Sequence, residues 1–210
     1  MRRRSRFALA AILVVAIVPL AAAPVAARGP EASAHQRTIE HWTPARMGAA
    51  RSRDMVLDRA GRLVPQPLVT NSGGQSWPTV GSNGGGLIAR TSGRVYFEMS
   101  GNAYVCSGSV VRDGRADVSL VLTAGHCVYD AAMGWATFWM FVPQADGLPV
   151  VPGCATGQSP RGCWTAQALV AHSRFTTAGG FTGTAARYDY AFAVVGRGGP
   201  AVLVRDRLRL

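Results

Sequence analysis

One histidine and one aspartate have the setting that proton-transfer chemistry needs. His126 lies in the run Val121-Leu-Thr-Ala-Gly-His-Cys-Val128. That run places it on a tight turn after an apolar strand, beside a cysteine that can tie the turn down. A general base requires a ring held in one orientation, and a pinned backbone supplies this. A carboxylate must then hydrogen-bond the far ring nitrogen, fixing the tautomer and stabilising the imidazolium. Asp189 is the best candidate: it opens the apolar strand Tyr190-Ala-Phe-Ala-Val-Val195, and a carboxylate half-buried there needs a partner. Asp130 is too near His126 in sequence and reads as a loop residue, and Asp146 precedes Gly147 and reads as a turn. No Ser, Thr or Cys follows Asp189. A base and its orienting acid are present, and no nucleophile comes after them. The plain alternative for His126 is a core histidine.

The elements that must position these groups are short strands. From Leu87 onward, segments rich in Val, Tyr, Phe, Trp and Thr are divided by Gly or Asp clusters. Strands are predicted at Arg94–Met99, Ala103–Val111, Val118–Thr123, Ala136–Val142, Cys163–His172 and Asp189–Val195, with a hairpin turn at Arg112-Asp-Gly-Arg115. Six strands over about 110 residues suit a small closed antiparallel barrel, an all-β fold. No helix of useful length is predicted in this half.

Four cysteines, in a chain that opens with an export signal, read as two disulfides. Of the three possible pairings, Cys106 with Cys127 and Cys154 with Cys163 is favoured. A loop of about 20 residues closed this way contributes ~3 kcal/mol. The rival is a zinc site that also uses His126, but the spacing matches no standard ligand pattern. No metal or organic cofactor is expected.

Cys106-Ser-Gly-Ser-Val-Val111 followed by Leu122-Thr-Ala-Gly-His-Cys127 resembles the histidine region of the trypsin/chymotrypsin-like serine peptidases, in a bacterial secreted branch. Asp189-Tyr-Ala191 is similar to that family's aspartate strand, and His before Asp is that family's order. The resemblance covers about Gly85 to Val195. It implies the family's N-terminal barrel, with His126 as general base, Asp189 as its orienting carboxylate and Cys106–Cys127 as the histidine-loop disulfide.

The resemblance also says what is missing. The family's nucleophile sits in a Gly-x-Ser-Gly-Gly loop of a second barrel, which also supplies the oxyanion hole and the main specificity pocket. Here only 21 residues follow Asp189, and they end Arg205-Asp-Arg-Leu-Arg-Leu210, an atypical tail over 197–210. Asn71-Ser72-Gly73-Gly74 looks superficially like the nucleophile loop but precedes His126. Ser107 and Ser109 lie on the strand of Cys106, where the family places no nucleophile. A lone first barrel should also leave an apolar face uncovered. Phe138, Trp139, Met140 and Phe141 must point into the barrel or toward the absent partner.

The N-terminus reads as an export signal over 1–27. Arg2, Arg3, Arg4 and Arg6 precede an apolar run from Phe7 to Leu20, with small residues at Val25-Ala26-Ala27. The run is short for a membrane span, and Pro19 interrupts it. Its removal leaves about 180 residues, enough for one moderate domain. Residues 28–85 read as a propeptide or linker rather than a core, with a short Arg-rich helix from Gly48 to Arg62 and Pro and Gly marking loops. The barrel is assigned to residues 86–196. All 22 basic residues are Arg, scattered without an aromatic-interleaved stripe, so the formal net charge of +11 does not point to nucleic acid.

The expectation is a secreted trypsin-like endopeptidase whose chain here stops before its serine and is inactive alone. Its partner would be a protein or peptide substrate once a second barrel completes the site, with no membrane after signal removal. The alternative is a non-catalytic secreted binding domain, a pseudo-protease.

Overall fold

Runs of β-branched and aromatic residues become strands where they can pair. In the computed structural model, which describes residues 30–60, 63–65, 91–112, 114, 118–143, 145, 154 and 162–196, the six predicted strands all form. They are β4 (Ser92–Met99), β5 (Asn102–Val111), β6 (Ser119–Thr123), β9 (Thr137–Pro143), β10 (Trp164–Ala171) and β11 (Ala191–Val195). Between them stand the short pairs β2 (Met55–Leu57) with β3 (Leu63–Pro65), and β7 (Tyr129–Asp130) with β8 (Gly134–Trp135). The antiparallel order β5-β4-β9-β10-β11-β6, with β6 pairing back onto β5, closes the barrel.

Alternation fills the interior. Val95, Phe97, Val121, Trp139, Phe141, Trp164, Ala193 and Val195 form one buried cluster. Close approach across the barrel fixes Gly108. A Cβ there would lie 2.9 Å from both Val95 Cγ2 and Val121 Cγ1, so a side chain would force those core residues apart.

The segment before the barrel differs from its sequence reading. Helix α1 (Pro30–His41) packs on β9 and β10, and helix α2 (Pro44–Ala49) on β5, outside the barrel. There Ile39, Trp42 and Met47 make a second buried cluster with Tyr96, Met140 and Val142. Trp42 is fully buried and donates Nε1–H to the Phe138 carbonyl at 2.6 Å. The helix predicted from Gly48 to Arg62 does not form. Helix α2 ends at Ala49, and β1 (Arg51–Ser52) instead runs parallel beside β5, Arg51 opposite Tyr104. Tertiary pairing outweighs the weak helix preference of that stretch.

The aromatic run of β9 is accordingly covered except at Phe138, which is 37% exposed. Trp139 and Phe141 face the interior, while Met140 turns to Trp42 and Met47. Phe138 occupies an irregularity in the β4–β9 pairing at φ 49°, and its ring stacks on His41 at 3.8 Å. The bulge re-aims this one side chain outward, as bulges do. A further uncovered apolar row lies on β6, β11 and β10. Leu122 pairs with Phe192 and Phe192 with Val170, and Leu122 and Val170 are 37% and 54% exposed.

The segment read as an export signal, Asn71-Ser72-Gly73-Gly74, Asp146 and the tail over 197–210 lie outside the described residues, as does part of the Arg112–Arg115 turn. No helix among the described residues is long and apolar enough to cross a membrane.

Candidate active site

Strand β6 ends at Thr123, and Ala124 leads into a 3-10 turn over Gly125–Cys127. Cys127 N–H bonds Ala124 O at 3.1 Å and Val128 N–H bonds Gly125 O at 3.0 Å. A disulfide joins Cys127 to Cys106 on β5, so the turn is tied to the neighbouring strand. Trp139 Nε1–H donates to the Cys127 carbonyl from inside the barrel. Histidine 126 thus projects from a turn secured on two sides. Cys154 pairs with Cys163, the second favoured bridge.

Asp189 reaches that turn from the neighbouring strand, because Ala191 at the start of β11 pairs with Thr123 at the end of β6. The sequence expectation that it opens a strand needs correction. β11 begins at Ala191, and Asp189 caps a 3-10 turn over Ala185–Tyr188. Being out of the strand frees its carboxylate to meet His126 twice. Oδ1 accepts the His126 backbone N–H at 2.7 Å, and Oδ2 lies 2.7 Å from ring Nδ1. The two side chains are 13% and 14% exposed. An ionised carboxylate only accepts, so in the neutral form of the ring Nδ1 carries the proton and Nε2 the lone pair. Among the described residues no hydrogen bond reaches Nε2.

Gly125 makes the approach possible. A Cβ there would lie 3.0 Å from Asp189 Oδ1 and from the Phe175 ring. Phe175 is buried on helix α3 (Ser173–Thr176), and Phe181 stands edge-on to the His126 ring at 5.3 Å. These rings cover one side of the pair, and lower access for water strengthens its hydrogen bonds.

Arg53, in the segment read as leader, is a further part of the site. Its Nε–H donates to the His126 carbonyl at 2.8 Å, and its guanidinium pairs with Asp130 and lies over the Tyr104 ring at 5.1 Å. Burial acts to raise the Asp130 carboxyl. Hydrogen bonds from Arg53 and from the Ala132 and Met133 backbone outweigh it and hold Asp130 below its ordinary value. No sequence pattern marks Arg53 among the chain's many arginines. Beyond His126 opens a cleft of ≈ 680 Å3, lined by Arg51, Arg53, Tyr104, Met133 and Phe181 among others.

Among the described residues neither Ser107 nor Ser109 hydrogen-bonds the His126 ring: Ser107 accepts from Thr123 through its carbonyl, and Ser109 bonds Ser92. Ligand atoms of Cys106, His126 and Cys127 lie within 4.8 Å of one another. The two sulfurs are bonded to each other and Nδ1 is held by Asp189, so no thiolate remains in this group for a metal.

Several solved protease structures are similar to this chain. Protease Anisep from Arthrobacter nicotinovorans is 32% identical over 58% of this chain and 48% of its own, with a TM-score of 0.45. A thermostable serine protease from an extremophilic microorganism is 29% identical over 58% of this chain and 49% of its own, with a TM-score of 0.44. A Glu endopeptidase is 18% identical over 58% of this chain and 45% of its own, at 0.37. The chain spans about half the length of these structures. No family model matches it, and no curated protein does.

Proposed function

We propose that this chain carries the base and orienting-acid half of a secreted trypsin-like serine peptidase. His126 would take the proton of a serine through Nε2 and later pass it to the leaving amine, while Asp189 holds the ring and stabilises the imidazolium. The observation that carries this reading is the double grip of Asp189 on the ring Nδ1 and backbone N–H of His126. The Leu-Thr-Ala-Gly-His-Cys run, its disulfide to β5 and the closed six-stranded barrel support it.

The reaction needs a nucleophile and an oxyanion hole, and no Ser, Thr or Cys follows Asp189 in these 210 residues. Loss of the serine from a triad costs about a million-fold in turnover. The 210-residue chain alone is therefore proposed to be inactive. Export rests on the Arg-led apolar N-terminus and the two disulfides.

The test is to read the codons downstream of Leu210 in all frames and express any longer product. A Gly-x-Ser-Gly-Gly segment, with peptide hydrolysis that His126→Ala abolishes, is the expected result. Its absence in every frame, or hydrolysis by the 210-residue chain that survives His126→Ala, would overturn the proposal.

A further inference from the structure

The cleft beside His126 contains two guanidinium groups with different charge balance. Arg53 is spent: its Nε–H holds the His126 carbonyl and its head pairs with Asp130. Arg51 is not. Its Nη2 donates to Asn102 Oδ1 at 3.0 Å and to the Tyr104 hydroxyl at 3.3 Å, and its head lies 5.2 Å from the Tyr104 ring centroid. All three contacts are to uncharged groups, and among the described residues Arg51 has no acidic partner. Neutral contacts fix where the guanidinium sits without neutralising it. Nε–H and the Nη1 hydrogens remain as donors on separate edges of the guanidinium, so a carboxylate is met by a single charge-assisted hydrogen bond.

The surroundings select an extended peptide. The ≈ 680 Å3 cleft falls within the range of ligand sites, and Met55, Tyr104, Tyr129, Met133, Phe175 and Phe181 give it apolar walls. Asp130, the acidic residue of the lining, is already engaged by Arg53. The cleft is thus an apolar trough with one uncompensated positive charge, running from the His126 ring to Arg51. Parallel pairing of β1 with β5, Arg51 opposite Tyr104, holds that charge at a set place.

We propose that Arg51 forms a subsite for a carboxylate of a peptide bound in this cleft, a determinant of substrate choice on the histidine side of the site. This rests on the peptidase reading above. The carboxylate could belong to a Glu or Asp side chain or to a peptide C-terminus; both offer the same fork-shaped acceptor.

The test uses the 210-residue chain and four capped pentapeptides followed by NMR. Three have amidated C-termini and carry Glu, Gln or Lys at the centre of an alanine sequence, and the fourth is all alanine with a free C-terminus. Shifts are read at Tyr104, Met55, Met133 and His126. The Glu peptide should bind roughly 2- to 5-fold more tightly than the Gln peptide, the size of an exposed ion pair, with Lys weakest. Arg51→Ala should abolish the preference and Arg51→Lys retain part of it. Arg37→Ala, an exposed charge outside the cleft, should leave it intact. Equal binding of all four peptides, a preference that survives Arg51→Ala, or no shift at the cleft with any peptide would overturn the subsite. Tight binding of the free-terminus peptide alone would overturn the side-chain source and leave the chain terminus as the carboxylate. Failure of the peptidase reading has a separate signature, a His126 ring that does not respond to Asp189→Asn, and neither result produces the other.

Discussion

The Asp189 carboxylate holds His126 by both its ring and its main chain, at 2.7 Å in each case. One anion therefore fixes the tautomer of the ring and the path of the turn that carries it. Each contact restricts the other: the ring cannot rotate without losing Oδ2, and the turn cannot shift without losing Oδ1. Such a pair is organised before any substrate arrives, which is what general-base catalysis asks of it.

Gly125 lets the carboxylate come this close. Gly125→Ala places a methyl group 3.0 Å from Asp189 Oδ1 and the Phe175 ring. The expected result is a loss of about 1–3 kcal/mol of stability, typical of overpacking, with displaced His126 and Asp189 resonances. Chemical denaturation with NMR of the variant checks both.

Arg53 couples the segment before the barrel to the histidine turn, and its partner Asp130 titrates below its ordinary value. A depressed folded pKa means stability that is fully present above the unfolded carboxylate pKa and is lost as pH falls through the folded value. Wild-type stability should therefore fall on acidification below about pH 4, the ordinary Asp value. Arg53→Ala should raise the Asp130 pKa and flatten that part of the profile. Melting curves from pH 2 to 7 for both proteins test the sign.

Trp42 closes the outer cluster over Tyr96 and Met140. Trp42→Ala should cost about 3–5 kcal/mol, the range for a fully buried large aromatic. A melting temperature equal to that of the wild type would show that α1 and α2 are not docked in solution.

Leu122, Phe192 and Val170 form an apolar row across β6, β11 and β10 that no described element covers. The chain should self-associate through this face. The double variant Leu122→Glu with Val170→Glu should shift it toward monomer in sedimentation velocity. Equal behaviour of the two proteins would place the contact elsewhere.

The barrel was legible because its strands follow alternation, and all six lie within about two residues of their predicted ends. His126 was legible because its turn has a distinctive run, and the disulfides because four cysteines leave few pairings. The outer layer was not. Ile39, Trp42 and Met47 are too sparse to show a helical period, and their burial depends on β4 and β9 presenting Tyr96, Met140 and Val142 from far along the chain. Arg53 was hidden for the same reason: its partners, His126 and Asp130, are over seventy residues away. The position of Asp189 was misread by two residues. Tyr190 looks like strand by composition, yet the strand starts only where Ala191 pairs with Thr123.

The most direct measurement is the protonation state of the two His126 ring nitrogens by 15N NMR at neutral pH. With Asp189 as partner, the proton should sit on Nδ1 and Nε2 should be bare. Asp189→Asn should move the proton to Nε2, because the new amide donates toward Nδ1. A wild-type ring with its proton on Nε2, or one that Asp189→Asn leaves unchanged, would contradict the account.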